Sequence, residues 1–121
     1  MPPIRQVVLY RHYFEQFYLT QSKKVQEKIL WTIKIIEEHE QISKKYFKHV
    51  AGTKGIYELR VEYGSEIFRI FCIFDQGKLI ILMNGFQKKS QKTPVLEMKK
   101  AIKIIKAYEE EQKLKNPRSI Y

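Results

Sequence analysis

IYELRVEYGSEIFRIFCIFDQGKLIILMNGFQKKSQKTP, residues 56–94, has the pattern of three β-strands joined by two tight turns and followed by a lysine-rich connector. Apolar and charged side chains alternate along the first strand, which is typical of a strand with one buried face. Gly64 and Ser65 have the composition of a two-residue hairpin loop, with glycine at the first central position. This loop sets a register in which Arg60 lies directly opposite Arg69.

The same register brings apolar residues together on the other face of the hairpin. The pairs expected there are Val61 with Phe68, Leu59 with Ile70, and Tyr57 with Cys72. Two arginines facing each other are unfavourable by roughly 0.2–1 kcal/mol, because like charges on neighbouring strands repel. The arginine pair therefore predicts an anion held between the two guanidinium groups.

The second turn leaves two registers open. If the loop has two residues, Gln76 and Gly77, Arg69 faces Asn84 and the arginine pair extends into a row across three strands. If the loop begins one residue earlier and has three residues with a glycine bulge, Arg69 faces Met83 and the row is broken. Both faces of the third strand are apolar, so the hydrophobic pattern does not choose between them.

Length and composition place the chain in a single domain. It has 121 residues, of which 44% are hydrophobic, and this is enough for one core but not for two. We predict one domain over residues 1–115 and a disordered tail at 116–121, where the apolar repeat ends. No apolar stretch is long enough to span a membrane, and no secretion signal opens the chain. A cytoplasmic protein with no membrane association is expected.

The charge of the chain favours a polyanionic partner. Its formal net charge is +10, and seven lysines but only one acidic residue lie in residues 84–106. One cysteine, Cys72, excludes an internal disulfide and a cysteine-based metal site, and it is expected to act as a small buried hydrophobe. The histidines show no metal-ligand spacing, so neither a metal nor a cofactor is expected.

The rest of the chain adds one strand and three helices, which apolar spacing and cap residues place at residues 4–10, 11–19, 22–40 and from Thr93 onward. This predicts an α+β fold of order β-α-α-β-β-β-α, in which helices pack on one face of an antiparallel meander sheet and leave the arginine face open. The basic segment 43–55, with Lys48 and Lys54, is either a solvated connector or a phosphate-contacting rim.

The cations on and after these strands suit one kind of chemistry. Arginines and lysines can bind the scissile phosphate of RNA and stabilise the added negative charge of the transition state. RNA brings its own nucleophile, the 2′-OH, so the protein must align the attack, remove one proton and return another. A lysine with a lowered pKa is one candidate base. Glu58 is a rival base, or it orients Arg60 or a lysine.

Two further residues have alternative roles. Asn84 can hold a phosphate oxygen or the ribose. Tyr108, late in the last helix, either stacks on a base or packs in the core. The catalytic candidates are therefore Arg60, Arg69, Lys89, Asn84 and Glu58. The candidates for RNA binding are Lys48, Lys54, Lys88, Lys92 and Tyr108.

Several short motifs lie within residues 48–106: ELR at 58–60, RI at 69–70, LMNGF at 82–86, KK at 88–89 and KTP at 92–94. Together they resemble the RelE/HigB-type toxins of the RelE/ParE superfamily, in the branch related to phage-derived toxin-like proteins. The resemblance implies a RelE-like fold and the toxin of a type II toxin–antitoxin pair. Such a toxin is a metal-independent endoribonuclease, or mRNA interferase, that cleaves mRNA in the ribosomal A site and is bound by a helix-turn-helix antitoxin.

One position departs from that family pattern. Asn84 stands where many relatives have histidine, and this moves the acid–base chemistry to lysine and arginine. The superfamily also contains gyrase-directed and inactive members, so the fold alone does not imply the reaction. The alternatives are a non-catalytic basic module that binds nucleic acid or protein, and a gyrase-inhibiting toxin of the same fold.

Overall fold

The computed structural model describes residues 3–77, 79–89 and 94–115. The elements are β1 Gln6–Leu9, α1 Tyr13–Leu19, α2 Lys23–Glu38, β2 Phe47–His49, β3 Ile56–Tyr63, β4 Glu66–Asp75, β5 Leu79–Lys88 and α3 Val95–Lys115. The α+β class is confirmed, and one short strand, β2, is added within the segment 43–55. Lys92, the expected cap Thr93 and the expected disordered tail 116–121 lie outside the described residues, so they stay predictions.

The sheet has five strands in the order β1-β5-β4-β3-β2. Strands β3 to β5 form the expected antiparallel meander and β2 extends it, but β1 pairs with β5 in parallel. The prediction of a wholly antiparallel sheet is therefore wrong at this edge. No hairpin connects β1 to β5, because every other strand and both first helices lie between them in the chain, so no tight turn imposes an antiparallel pairing.

The first hairpin has the expected register. Tyr63 pairs with Glu66 across the two-residue loop, and Arg60 pairs with Arg69. Gly64 has a φ of 61°, a left-handed conformation that glycine adopts without steric cost. The three apolar pairs predicted for the other face of the hairpin are also present.

Neither register proposed for the second turn is correct. Pairing of β4 with β5 starts at Asp75 and Leu79, and a β-bulge lies opposite Phe71. These two shifts place Phe86, rather than Asn84 or Met83, opposite Arg69. The error has a physical cause, since a bulge adds one residue to one strand and changes the pairing of everything beyond it.

Helices cover both faces of the sheet, which corrects the prediction of one helical face. One core joins α1 and α2 to the sheet through residues such as Ile29, Ile36 and Leu82. The other core joins α3 to the opposite face, where Phe71 and Met83 lie. Strands β4 and β5 are apolar on both sides, so both sides must be buried.

Gly85 lies in β5 directly against Phe17 of α1. A Cβ atom added there would lie 2.6 Å from Cγ of Phe17. We expect Gly85→Ala to lower the free energy of unfolding by about 1–3 kcal/mol, because the packed ring must shift. The control is Gly55→Ala, where an added Cβ meets nothing within 4 Å. Urea unfolding of both variants is the measurement, and equal midpoints would contradict the prediction.

Candidate active site

The arginine pair lies on the α3 side of the sheet, where β3 and β4 leave the first hairpin. Arg60 and Arg69 are directly opposite each other. Their surroundings differ, since the Arg60 side chain is 21% exposed and that of Arg69 is 7% exposed. Arg60 is therefore the arginine that a ligand in solution can reach, while Arg69 lies behind it in the sheet.

Glu58 supplies the negative charge between the two arginines. Its Oε2 is 3.1 Å from Nη1 of Arg69, and its Oε1 is 4.0 Å from Nε of Arg60. The carboxylate side chain is only 6% exposed. An external anion between the guanidinium groups was the sequence-based explanation of this pair, and the structure corrects it: the protein itself provides the anion. Two neighbouring like charges are tolerated because a buried opposite charge lies between them.

Two lysines complete this group of charges. Lys48 pairs with Glu58 across β2 and β3, and Lys88 lies at the end of β5, two residues beyond Phe86. The pKa of Lys88 is lowered from its ordinary value, first by desolvation and then by the positive charges of Arg69, Arg60 and Lys48, while Glu58 opposes the shift.

These five side chains therefore share one electrostatic environment, and we call them the cationic cluster: Lys48, Glu58, Arg60, Arg69 and Lys88. Four positive charges and one negative charge give the cluster a net charge of +3 when all five groups are ionised. The carboxylate lowers the repulsion without cancelling the field. Such a cluster suits a phosphodiester, which has acceptor oxygens and one negative charge.

Asn84 faces α3 from the bulge in β5. Its Nδ2 donates a hydrogen bond of 3.2 Å to the carbonyl oxygen of Glu97 in the first turn of α3. Its buried Oδ1 has no hydrogen-bond partner within the part of the chain that the structure describes. The Oδ1 atom is a hydrogen-bond acceptor, so it can accept a hydrogen bond from a hydroxyl group such as that of a ribose. It cannot bond a phosphate oxygen, because that oxygen is an acceptor too. Asn84 also ties the end of β5 to the start of α3.

The remaining lysine candidates are not members of the cluster as defined. Lys89 is exposed one residue after β5. Lys54 is exposed in the loop before β3 and lines a separate groove against α3, together with Ile102 and Lys106. Lys92 is not among the residues described. The structure thus brings Lys48 and Lys88 to the arginines and leaves Lys54 elsewhere.

Tyr108 belongs to the core, which was the alternative to base stacking. Its ring is buried edge-on against Tyr10, and its hydroxyl donates a hydrogen bond of 2.5 Å to Oδ2 of Asp75. Burial, and then the carboxylate of Asp75, raise the pKa of this hydroxyl. A base needs an open ring face to stack upon, so we remove Tyr108 from the set of RNA-binding candidates.

A hollow beside Arg60 contains residues that sequence reasoning did not assign to the site. Lys28, Lys45 and Tyr46 line it together with Arg60, Glu62 and Gly64. The basic composition of the segment 43–55 was a signal for Lys45. No local signal exists for Lys28, because its position depends on how α2 docks against the sheet.

The other groups considered in the sequence are structural. Cys72 is fully buried, and burial raises the pKa of its thiol, as expected for a core residue. Across the described ranges, no three or more His, Cys, Asp or Glu side chains are placed to hold a metal ion. In the same ranges, no helix has the length and apolarity needed to cross a membrane.

Comparison of the chain with protein-family models identifies its family. Residues 16–106, three quarters of the chain, match the model described as phage derived protein Gp49-like (DUF891). The chain belongs to the Gp49-like family. This family is part of the RelE/ParE-like toxin superfamily and consists of toxins of toxin–antitoxin systems, which implies an antitoxin partner. In this Gp49-like chain the match runs from the middle of α1 into α3 and includes all five residues of the cationic cluster. The HigB-type assignment stays a prediction. A search of curated proteins found no match.

Proposed function

We propose that this Gp49-like chain is a metal-independent endoribonuclease of a type II toxin–antitoxin system. It cleaves mRNA in the ribosomal A site, in the cytoplasm, and is held inactive by a helix-turn-helix antitoxin. The observation that supports this most is the cationic cluster, which gathers four cations around one buried carboxylate at an accessible end of the sheet.

The accessible members of the cluster bind the phosphate in this proposal. Arg60 contacts a non-bridging oxygen and Lys48 flanks it, so that the charge added in the transition state meets fixed cations. Arg69 and Glu58 are too buried to enclose a phosphate. Their role is to hold the guanidinium group of Arg60 and to set the field at Lys88.

The reaction is transesterification at the phosphodiester. The 2′-oxygen attacks phosphorus, the bond from phosphorus to the 5′-oxygen breaks, and a 2′,3′-cyclic phosphate forms with a free 5′-OH end. A base takes the 2′-OH proton, and an acid gives a proton to the leaving 5′-oxygen. Lys88 is the base in our proposal because its lowered pKa makes the neutral amine more accessible. Lys89 and Lys92 on the connector stay candidates for the acid and for backbone contacts.

The test is the end chemistry of an mRNA that is cleaved on purified ribosomes. We expect new 5′-OH ends in the A-site codon and 2′,3′-cyclic or 3′-phosphate ends upstream, because attack by the 2′-OH leaves these groups. Intact mRNA, or ends with a 5′-phosphate, would overturn the proposed chemistry. Ribosome-free mRNA is the control for A-site dependence.

One observation favours a second candidate, a non-catalytic basic module. Glu58 already compensates the arginines, and Arg69 is buried, so the cluster can be stable without any reaction to perform. This candidate predicts binding of RNA that weakens with salt but yields no cleavage products on ribosomes. The same ribosome experiment therefore separates the two functions. A gyrase-inhibiting toxin would produce DNA damage signalling with intact mRNA.

The pH dependence of cleavage tests Lys88 directly. Its pKa is lowered, so the cleavage rate should rise with pH and level off below the ordinary lysine value of 10.5. Lys88→Arg should lower the rate by about 10²–10⁴-fold and remove this rise, because arginine stays protonated. Lys34→Arg, on the exposed side of α2, is the control. An unchanged pH profile in Lys88→Arg would exclude Lys88 as the base.

The same shift affects stability in a defined direction. Folded protein binds the Lys88 proton less tightly than the unfolded chain does, so the unfolded state carries more protons between the lowered pKa and 10.5. Within that window the contribution of Lys88 to the free energy of unfolding rises with pH.

A further inference from the structure

Two aromatic rings and two lysines lie together where α2 meets the start of β2. Trp31 packs edge-on against Tyr46, with ring centroids 5.7 Å apart, and Nζ of Lys28 lies 4.1 Å from the centroid of the Trp31 ring. Lys45 approaches the Tyr46 ring at 5.9 Å. Trp31 is 42% exposed, and the ammonium group of Lys28 is the group over its ring. We call these four residues the α2 edge surface.

The α2 edge surface is continuous with the cationic cluster. Lys28, Lys45 and Tyr46 line the hollow that also contains Arg60. Lys28 lines a second hollow as well, together with Trp31 and other residues of α2. A path of solvent-accessible side chains therefore runs from Arg60 to Trp31.

The path exists because the outer edge of β3 is uncovered. Strand β2 pairs with β3 only as far as Phe47 and Leu59, and one further bond joins the Arg60 N–H to the Tyr46 carbonyl oxygen. Beyond Arg60 no described strand pairs with the outer edge of β3. At this uncovered edge of β3, the face of the sheet that carries Arg60 adjoins the side of the sheet on which α2 packs. A chain-like ligand bound at Arg60 can therefore extend past the edge to α2.

Exposed rings alternating with lysines are the surface that binds single-stranded nucleic acid. Each base has a π face that stacks on an aromatic side chain whatever its identity, and the lysines neutralise the phosphates between the bases. The rings here are not needed for the core, since neither Trp31 nor Tyr46 belongs to the buried clusters.

We propose that the α2 edge surface binds the single-stranded RNA that adjoins the phosphate held by the cationic cluster. A base stacks on Trp31 in place of the Lys28 ammonium group, which moves onto a neighbouring phosphate, and Lys45 contacts the phosphate next to Arg60. This inference rests on RNA being the ligand of the cluster, but it does not require cleavage.

The single tryptophan of the chain provides a direct measurement on the unaltered protein. A 12-nucleotide 2′-O-methyl RNA of mixed sequence is the probe, because it cannot undergo 2′-OH attack. Titration of this RNA should quench Trp31 fluorescence by base stacking, with the same midpoint as its fluorescence anisotropy. Inorganic phosphate, which has no base to stack on the ring, should leave the Trp31 fluorescence unchanged. Binding of the 12-mer with unchanged tryptophan fluorescence would overturn the proposal.

Matched substitutions test the energetic contribution. Trp31→Ala should weaken binding of the 12-mer by about tenfold, whereas Leu30→Ala, an exposed apolar residue one position away on α2, should not. Lys28→Ala should reduce the slope of log affinity against log salt by about 0.7–1, and Lys34→Ala should reduce it less. Circular dichroism melting curves check that each variant is folded. Equal affinities for Trp31→Ala and Leu30→Ala would exclude the surface as an RNA site.

The outcomes separate this inference from the proposed function. If the 12-mer quenches Trp31 but unmodified mRNA on ribosomes stays intact, the RNA-binding surface is supported and the nuclease is not. If mRNA is cleaved equally by wild type and Trp31→Ala and their 12-mer affinities agree, the nuclease is supported and the surface is not. If Trp31→Ala abolishes binding of the protein encoded beside this chain but not of RNA, the surface docks a protein instead.

Discussion

Replacing Glu58 with glutamine is expected to lower the free energy of unfolding by about 3–5 kcal/mol, the largest stability effect of any single substitution proposed for this chain. The carboxylate is buried, 3.1 Å from Nη1 of Arg69 and 4.0 Å from Nε of Arg60. Glutamine has nearly the same shape but no charge. It leaves two cross-strand guanidinium groups without the negative charge that lies between them.

A double-mutant cycle isolates the charge effect from any change in packing. Arg69→Met alone should also destabilise, because it leaves the Glu58 carboxylate buried with only the more distant Arg60. Combining Glu58→Gln with Arg69→Met should cost much less than the sum of the two, with a coupling of about 2 kcal/mol or more. Glu62→Gln, four residues further along the same face of β3, is the control and should change stability by less than about 0.5 kcal/mol. Additive effects of the two substitutions would show that the buried ion pair does not hold this hairpin together.

The sequence predicted the arginine pair because a two-residue loop leaves no freedom of register. Once Gly64 begins a tight turn, the position of every residue in β3 and β4 follows from counting, and Arg60 must face Arg69. The alternation of the strand also placed Glu58 on the arginine face. Residue counting does not show that the Glu58 side chain extends between the two guanidinium groups. This contact makes Glu58 the anion between the arginines.

The second half of the sheet was mispredicted for reasons that local sequence does not contain. The hydrophobic pattern of β5 is compatible with several registers. A bulge near Asn84 does not change that pattern, because both faces of the strand are apolar. The position of α3 depends on the second apolar face that β4 and β5 present. Residues that reach the site from another element, such as Lys28 on α2, follow only from tertiary packing.

The two arginines face each other across β3 and β4, but the side chain of Arg69 is more deeply buried than that of Arg60. Arg60→Met should lower the rate of mRNA cleavage by about 10²–10³-fold, the usual cost of removing one preorganised charge from a transition state. It should leave stability nearly unchanged, since a like-charge pair is relieved while Glu58 keeps its closer partner. Arg69→Met should lower the free energy of unfolding by about 3 kcal/mol.

Growth arrest alone cannot separate these roles, because an unfolded toxin and an inactive toxin look the same in the cell. Rates on ribosomes must therefore be measured at a temperature where urea curves show both variants folded. Under that condition, Arg60→Met should stay inactive, whereas Arg69→Met should recover part of its activity because its side chain does not meet the phosphate. A folded Arg69→Met protein that is as inactive as Arg60→Met would contradict this division. The buried arginine would then have to act on the substrate, which requires that Glu58 release it when RNA binds.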